Sequence, residues 1–201
     1  MGLRIDLHLH TKRYSACSQI EPDRLIDRAV RAGLDGVVIT EHHHQWTDRE
    51  LSELVERSGH PGFRLLAGFE YTSSHGDILI YGLEPDEAKR FTPRWAPEKA
   101  LELAYGLGAV CIAAHPTRAG LSFDDRIINL QLNAIEVRSV NLQAHEQALA
   151  LKLSGTLGIP PVTCSDAHRL EDVGRFATVF SDVITTREDL KAALSRGRFS
   201  I

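Results

Sequence analysis

Leu3-Arg4-Ile5-Asp6-Leu7-His8-Leu9-His10-Thr11 opens as a strand and closes on two histidines separated by one leucine. Side chains alternate across a strand, so His8 and His10 leave by the same face and can reach one metal ion together. Residues 3 to 9 therefore read as a first strand that carries chemistry at its C-terminal end. A helix follows: Pro22 stands at its start, Leu25, Ile26, Ala29 and Val30 make one apolar face, and Gly33 ends it. A second strand spans 36 to 40, and a second helix begins near residue 48, where Thr47 and Glu50 have capping-box spacing.

The pattern repeats down the chain. Strands are expected at 64 to 68, 77 to 82, 109 to 114, 134 to 138, 161 to 164 and 176 to 180. Helices are expected at about 97 to 107, 141 to 157 and 186 to 196, the last with Thr185 and Glu188 at capping-box spacing. This predicts an α/β chain of strand-helix units around a mainly parallel sheet. A closed or partly closed barrel is favoured over an open doubly wound sheet, because no GxGxxG or Walker-type glycine loop accompanies the strands.

The 201 residues, 43% of them hydrophobic, suffice for one sizeable core, and residues 1–201 are read as a single domain. Apolar runs such as 36 to 40 and 109 to 114 are too short to cross a bilayer. The chain enters its first strand without a basic and then apolar leader, so no secretory signal is expected. Cys17, Cys111 and Cys164 are odd in number and lack CxxC spacing, which fits a reducing compartment and predicts a cytoplasmic location. With 23 basic and 27 acidic residues scattered along the chain, the electrostatic footprint of a tight duplex binder is missing.

The ten histidines are unusual for this length, and their positions carry more than their number. His8 and His10 close the first strand, Glu41 and His42 follow the second, and Glu70 follows the third. His75 and Asp77 precede the fourth, His115 ends the fifth, Glu136 lies in the sixth, and Asp166 and His168 follow the seventh. Barrel enzymes place catalytic groups at such strand ends. Asp166 and His168 share the same-face spacing of His8 and His10, and Glu70 could bridge two ions. Imidazole nitrogen with carboxylate oxygen suits zinc, manganese or iron, so a multinuclear metal site is expected.

These residues fall in motifs: Asp6-Leu7-His8-Leu9-His10-Thr11, Gly33-Leu34-Asp35-Gly36 leading to Ile39-Thr40-Glu41-His42, Gly68-Phe69-Glu70, Ala114-His115-Pro116 and Ser165-Asp166-Ala167-His168. In this order they resemble the PHP (polymerase and histidinol phosphatase) family of metal-dependent phosphoesterases, and the resemblance covers nearly the whole chain. It implies a distorted (β/α)7 TIM-like barrel with two or three divalent ions, Zn, Mn or Fe, at its C-terminal mouth. It also implies that His8, His10, Glu70 and Asp166 bind one ion, that Glu70 bridges to a second with His115, and that His42 and His168 bind a third. Where the family often supplies a further ligand, this chain has Tyr14-Ser15-Ala16-Cys17-Ser18, so the third ion loses a contact. Before Ile78-Leu79 the family commonly has histidine; here Asp77 is the first choice for that role and His75 the second. Glu41 stands where aspartate is commoner, a conservative change. Cys17 is read as an ordinary loop thiol ahead of a replacement ligand.

The implied activity is hydrolysis of a small phosphomonoester by a metal-activated hydroxide, with His8, His10, Glu70, Asp166 and His168 as the catalytic set and the general acid unassigned. Alternatives are a nuclease or exonuclease acting on nucleic-acid ends and a noncatalytic metal-binding domain. Arg13, Arg118, Arg138 and Arg169 each follow a motif residue closely, and one or two of them are expected to contact phosphate. Glu136 either faces the barrel beside the ligands or is solvated or salt-bridged. His43 and His44 read as an exposed polar loop with the substrate mouth as the alternative, His60 as a turn residue, and His145 as a helix surface residue. About 45 residues separate Glu70 from His115, so short loops must shape the pocket. The expected partner is a small phosphorylated substrate, with no membrane and with nucleic acid not favoured; oligomeric state does not follow from the sequence.

Overall fold

The computed structural model of the protein describes residues 2–201. Its strands are β1 (Leu3–Asp6), β2 (Gly36–His42), β3 (Arg64–Thr72), β4 (Asp77–Tyr81), β5 (Val110–Ala114), β6 (Ala134–Arg138), β7 (Pro161–Thr163), β8 (Thr178–Phe180) and β9 (Phe199–Ser200). Between them lie α1 (Pro22–Arg31), α2 (Asp48–Ser58), α3 (Pro85–Ala88), α4 (Pro97–Gly106), α5 (Ala144–Leu157) and α6 (Arg187–Ser195). The strands form one sheet in the order β7-β6-β5-β4-β3-β2-β1-β8-β9. Beyond the regular ladders the segments that follow β1 and β7 are tied together: Asp166 N–H donates to His8 O (2.7 Å) and His10 N–H to Ala167 O (3.1 Å), which nearly closes the sheet into a barrel. Among the described residues no helix is long and apolar enough to cross a membrane.

The expectation of a mainly parallel sheet is corrected. Four of its pairings are parallel, and the four involving β3 with β4, β4 with β5, β1 with β8 and β8 with β9 are antiparallel. The reversal at β4 follows from its connection. Ser73 N–H donates to Gly76 O (3.1 Å) in a tight turn, and so short a link permits only a hairpin, because a parallel partner needs a crossover. Gly76 holds φ 88°, and a Cβ there would lie 2.4 Å from the Phe123 ring, so both backbone and packing require glycine.

Local chemistry sets the remaining boundaries. Thr47 and Glu50 form the expected capping box on α2. On α6 the box uses Thr186 and Asp189, one residue beyond the expected pair, and Asp189 Oδ2 also takes the N–H and hydroxyl of Thr185. β1 ends at Asp6 rather than residue 9, because Asp6 Oδ1 takes the N–H groups of His8 (3.4 Å) and Ser165 (2.8 Å).

The core has three parts. Ile5, Leu7, Val38, Leu79, Ile112 and Val162 fill the barrel interior below the histidines. Leu25, Ile26 and Ala29 of α1 and Leu51 and Leu54 of α2 pack over Val37 and Ile39 of β2. Ala100, Leu101 and Ala104 of α4 and Ala150 of α5 cover the other flank with Phe69, Tyr71 and Ile135. Full burial of each large side chain is worth about 1.5–3 kcal/mol, so the frame beneath the polar residues is stiff.

Candidate metal centre

Glu70 lies at the middle of the C-terminal mouth, 1% exposed. Its Oε2 is 3.0 Å from His42 Nδ1, 3.2 Å from His10 Nε2 and 3.6 Å from His8 Nε2, while Oε1 is 3.0 Å from His115 Nε2. Opposite it, Asp166 Oδ1 is 3.4 Å from His8 Nε2, 3.5 Å from His10 Nε2 and 3.6 Å from His168 Nδ1. Four overlapping sets of donor atoms, each within 4.8 Å of one another, result: His8/His10/Glu70, His8/His115/Asp166, Glu70/Asp77/His115 and His10/His42/His168. Asp77, not His75, stands beside Glu70 and His115. His75 is exposed and turns to Ser74 (2.8 Å) and Asp124 (3.7 Å).

The electrostatics of this cluster tie its carboxylates to its histidines. Burial alone would push the Glu70 carboxyl up, but the charge of His8 and hydrogen bonds from His10, His115 and His42 hold it well below the usual range. Asp166 is likewise lowered against its burial, by His8 first. Burial disfavours charge on His115, yet Glu70, Asp166 and Glu136 push it up to about 9. Buried carboxylates are costly without such compensation, and divalent ions supply it more fully than imidazolium protons. Two further observations fit metal binding. His8 Nε2 and His10 Nε2 face each other at 3.1 Å, where one ion could displace their protons and take both nitrogens, and the donors are the imidazole and carboxylate mixture that zinc, manganese and iron accept.

Around these donors stands a supporting layer. Glu136, left open between two positions by the sequence, is fully buried and takes His8 Nδ1–H (3.2 Å) and His115 N–H (2.8 Å) on Oε2. Asn141 Nδ2 donates to both the carbonyl and Oδ2 of Asp166 at 2.8 Å. Ser15 Oγ takes His42 N–H (3.1 Å) and sits 3.4 Å from His10 Nδ1. Sequence reasoning gave no role to Asn141, Ser15 or Asp6, although Asp6 opens the first motif. Glu41 turns from the cluster to Thr11 and Trp46 Nε1 (2.9 Å). His43, His115 and Asp166 hold φ of 53°, 28° and 51°, strain of about 1–3 kcal/mol each that the surrounding hydrogen bonds must sustain.

The arginines separate. Arg118 lies 3.7 Å from Asp166 Oδ2, and with Arg169 and the unanticipated Arg175 it lines a cavity of about 630 Å³ shared with Cys17, Asn141 and His168. Arg13 is instead tied to Glu50 (3.1 Å) and stacked over Tyr14 and Trp46. Arg138 is exposed and lines no part of this cavity, because a register shift between Glu136 and Arg138 breaks the alternation that would send both to one face. Cys17 joins none of the donor sets. His43 and His44 are half-buried rather than an exposed loop: His43 packs edge-on to Tyr71 and His44 stacks on Tyr14 with ring centres 3.8 Å apart. His145 is exposed on α5, and His60 lies 3.9 Å from Asp27, far from this chemistry in the fold.

Comparison with known proteins places these features in context. The sequence profile of the PHP domain matches residues 6–158, and that of the PHP-associated segment matches 144–199. No curated protein matches the sequence. Among solved structures, PsfC from Pseudomonas syringae is similar at 21% identity and TM-score 0.73, covering 97% of this chain and 90% of that one. A proposed metal-dependent phosphoesterase from Bifidobacterium adolescentis is similar at 17% identity and TM-score 0.68, with 96% of each chain covered. The lesion-specific endonuclease EndoQ from Pyrococcus furiosus is similar at 17% identity and TM-score 0.69, covering 98% of this chain and 56% of that one.

Proposed function

The chain belongs to the PHP domain family, and from that premise we propose that it is a cytoplasmic, metal-dependent hydrolase of small phosphomonoesters. The observation that carries this reading is the adjacency of two features: overlapping imidazole and carboxylate donor sets, and a cavity on their flank walled by Arg118, Arg169 and Arg175. In this reading His8, His10, Glu70 and Asp166 would hold one ion, Glu70, Asp77 and His115 a second, and His42 and His168 a third. Bound divalent ions would neutralise phosphate charge and bring the pKa of water toward neutrality.

The protein's own groups then have separable tasks. Arg118 and Arg169 offer planar forks to the non-reacting phosphate oxygens. Asn141 occupies Asp166 Oδ2 and so directs Oδ1 toward His8 and His10. His168 Nδ1 lies 3.0 Å from the Asp166 carbonyl, which can only accept, so Nδ1 carries the proton and Nε2 is left as a lone-pair donor. That tautomer suits a ligand, and the proton for the leaving group must come from elsewhere, water included. Arg118 and Arg169 at one cavity, with Arg175 held by Asp172 (3.1 Å), fit a compact anion better than a strand, whose affinity grows from a row of phosphate contacts.

The test compares kcat/KM for a mononucleotide or sugar phosphate with that for a short single-stranded oligonucleotide, at two salt concentrations with manganese or zinc supplied. The small ester should be preferred. A preference above about tenfold for the oligonucleotide, roughly 1.4 kcal/mol, would favour a nuclease instead. No turnover of any phosphate ester by a fully metallated sample would favour a noncatalytic metal-binding domain.

A further inference from the structure

We propose that Glu136 is a positioning residue whose single carboxylate oxygen sets the ring of His8 and the backbone of His115, and thereby couples two neighbouring ion sites. The proposal rests on the metal-dependent reading above and adds to it a residue outside the donor sets.

Glu136 lies on β6, fully buried, and both of its hydrogen bonds come from the centre: His8 Nδ1–H at 3.2 Å and His115 N–H at 2.8 Å, each to Oε2. Among the described residues its Oε1 has no partner. A buried carboxylate with one orphaned oxygen is a poor device for stability alone, since an unsatisfied buried acceptor costs about 1–3 kcal/mol and a charged one more. Its geometry does explain the centre. A carboxylate at Nδ1 keeps the proton on that nitrogen, so the His8 lone pair is confined to Nε2, the atom that faces His10 (3.1 Å), Asp166 (3.4 Å) and Glu70 (3.6 Å). The second bond acts on backbone. His115 follows β5 with φ 28°, an unfavourable conformation that aims its Nε2 at Glu70 Oε1 (3.0 Å), and the N–H held by Glu136 belongs to that strained residue. His8 and His115 together enter three of the four donor sets, whereas the set His10/His42/His168 contains neither. One carboxylate therefore governs two ion sites at once and leaves the third to Ser15 and its own loop.

The test uses the full chain as Glu136→Ala and Glu136→Gln beside the wild type. Zinc and manganese affinities are measured by competition with a chromophoric chelator, and the tautomers of the zinc-loaded histidines by long-range 1H–15N NMR. In Glu136→Ala the two tightest equivalents should weaken together by about 10–100-fold, and His8 should lose its fixed Nδ1–H form. Glu136→Gln, the variant least liable to misfold, can accept both hydrogen bonds through its amide oxygen; it should keep the tautomer and lose about tenfold or less in affinity. Folded variants that retain wild-type affinities and the His8 tautomer, even with a lowered Tm, would make Glu136 merely structural and overturn the proposal. Failure of the wild type itself to bind zinc or manganese would overturn the metal-dependent reading, and this proposal with it.

Discussion

Replacing Asp6 by Asn should remove a loss of stability that the metal-free protein suffers as pH rises. Asp6 is fully buried at the foot of the centre, with Oδ1 holding the N–H groups of Ser165 and His8 and Oδ2 without a partner among the described residues. Burial pushes its carboxyl from the ordinary 3.8 up to about 6, against the hydrogen bonds from Ser165 and the nearby His8. Because the folded pKa is raised, the native state keeps a proton that the unfolded chain gives up between about pH 4 and 6. Stability from this group is thus present at low pH, falls through that window and is level above it. At about 1.4 kcal/mol per pH unit, the loss is about 1 kcal/mol at pH 4.5 and about 3 kcal/mol at pH 7.5. Asn preserves the Oδ1 acceptor, and its buried amide costs about 1–3 kcal/mol, a pH-independent offset. The decisive quantity is therefore the growth of the variant's stability relative to wild type, about 2 kcal/mol between pH 4.5 and 7.5. For a chain of this size that is about 4–8 °C in Tm. Calorimetric scans of chelator-treated wild type and Asp6→Asn at pH 4.5, 6.0 and 7.5 measure it directly. A difference that stays constant or shrinks with pH would refute the reasoning. Loading with zinc should diminish the growth, because nearby positive charge favours ionised Asp6.

Three further outcomes are expected. Glu50 is held at about 2, despite partial burial, by the Tyr14 hydroxyl, Thr47 and Arg13, so its stabilisation exists above about pH 4.5 and fades as pH falls toward 2; Glu50→Gln should lower Tm more at pH 7 than at pH 3.5, and equal losses would contradict this. Arg118→Ala should reduce kcat/KM for a phosphomonoester by about 10–100-fold, the worth of a charge-assisted hydrogen bond, whereas Arg138→Ala should stay within about twofold; comparable losses would place the phosphate elsewhere. The purified protein should carry at least two equivalents of transition metal by elemental analysis, and Asp166→Asn should abolish activity more completely than His42→Ala, because Asp166 is 1% exposed among three histidines and the His42 side chain is 37% exposed. Equal residual rates in folded variants would undo that ranking of sites.

What the sequence could and could not convey follows from which features leave a periodic trace. His8 with His10, and Asp166 with His168, are visible because same-face spacing at a strand end is itself a pattern, and Glu70 and His115 are visible because each ends an apolar run. Glu136 leaves no such trace: a carboxylate inside a strand has the same sequence signature whether it faces the barrel or water, and only the register against β7 decides. Asn141 acts through one side chain that reaches Asp166 across the fold, a contact between residues 25 apart that no local window contains.

The reversal at β4 was equally silent, and it resolves a puzzle about Asp77. In an all-parallel barrel a residue that precedes its strand belongs to the N-terminal face, opposite the catalytic mouth, so Asp77 would be a poor ligand despite its chemistry. The Ser73–Gly76 turn makes β4 antiparallel to both neighbours, and the N-terminal end of β4 then lies at the C-terminal ends of β3 and β5. Asp77 accordingly pairs in register with Thr72 on one side and Ala114 on the other, one residue short of His115. The hairpin that departs from the expected topology is thus what carries a carboxylate beside Glu70 and His115, and Gly76, at the turn before Asp77, is required for that placement.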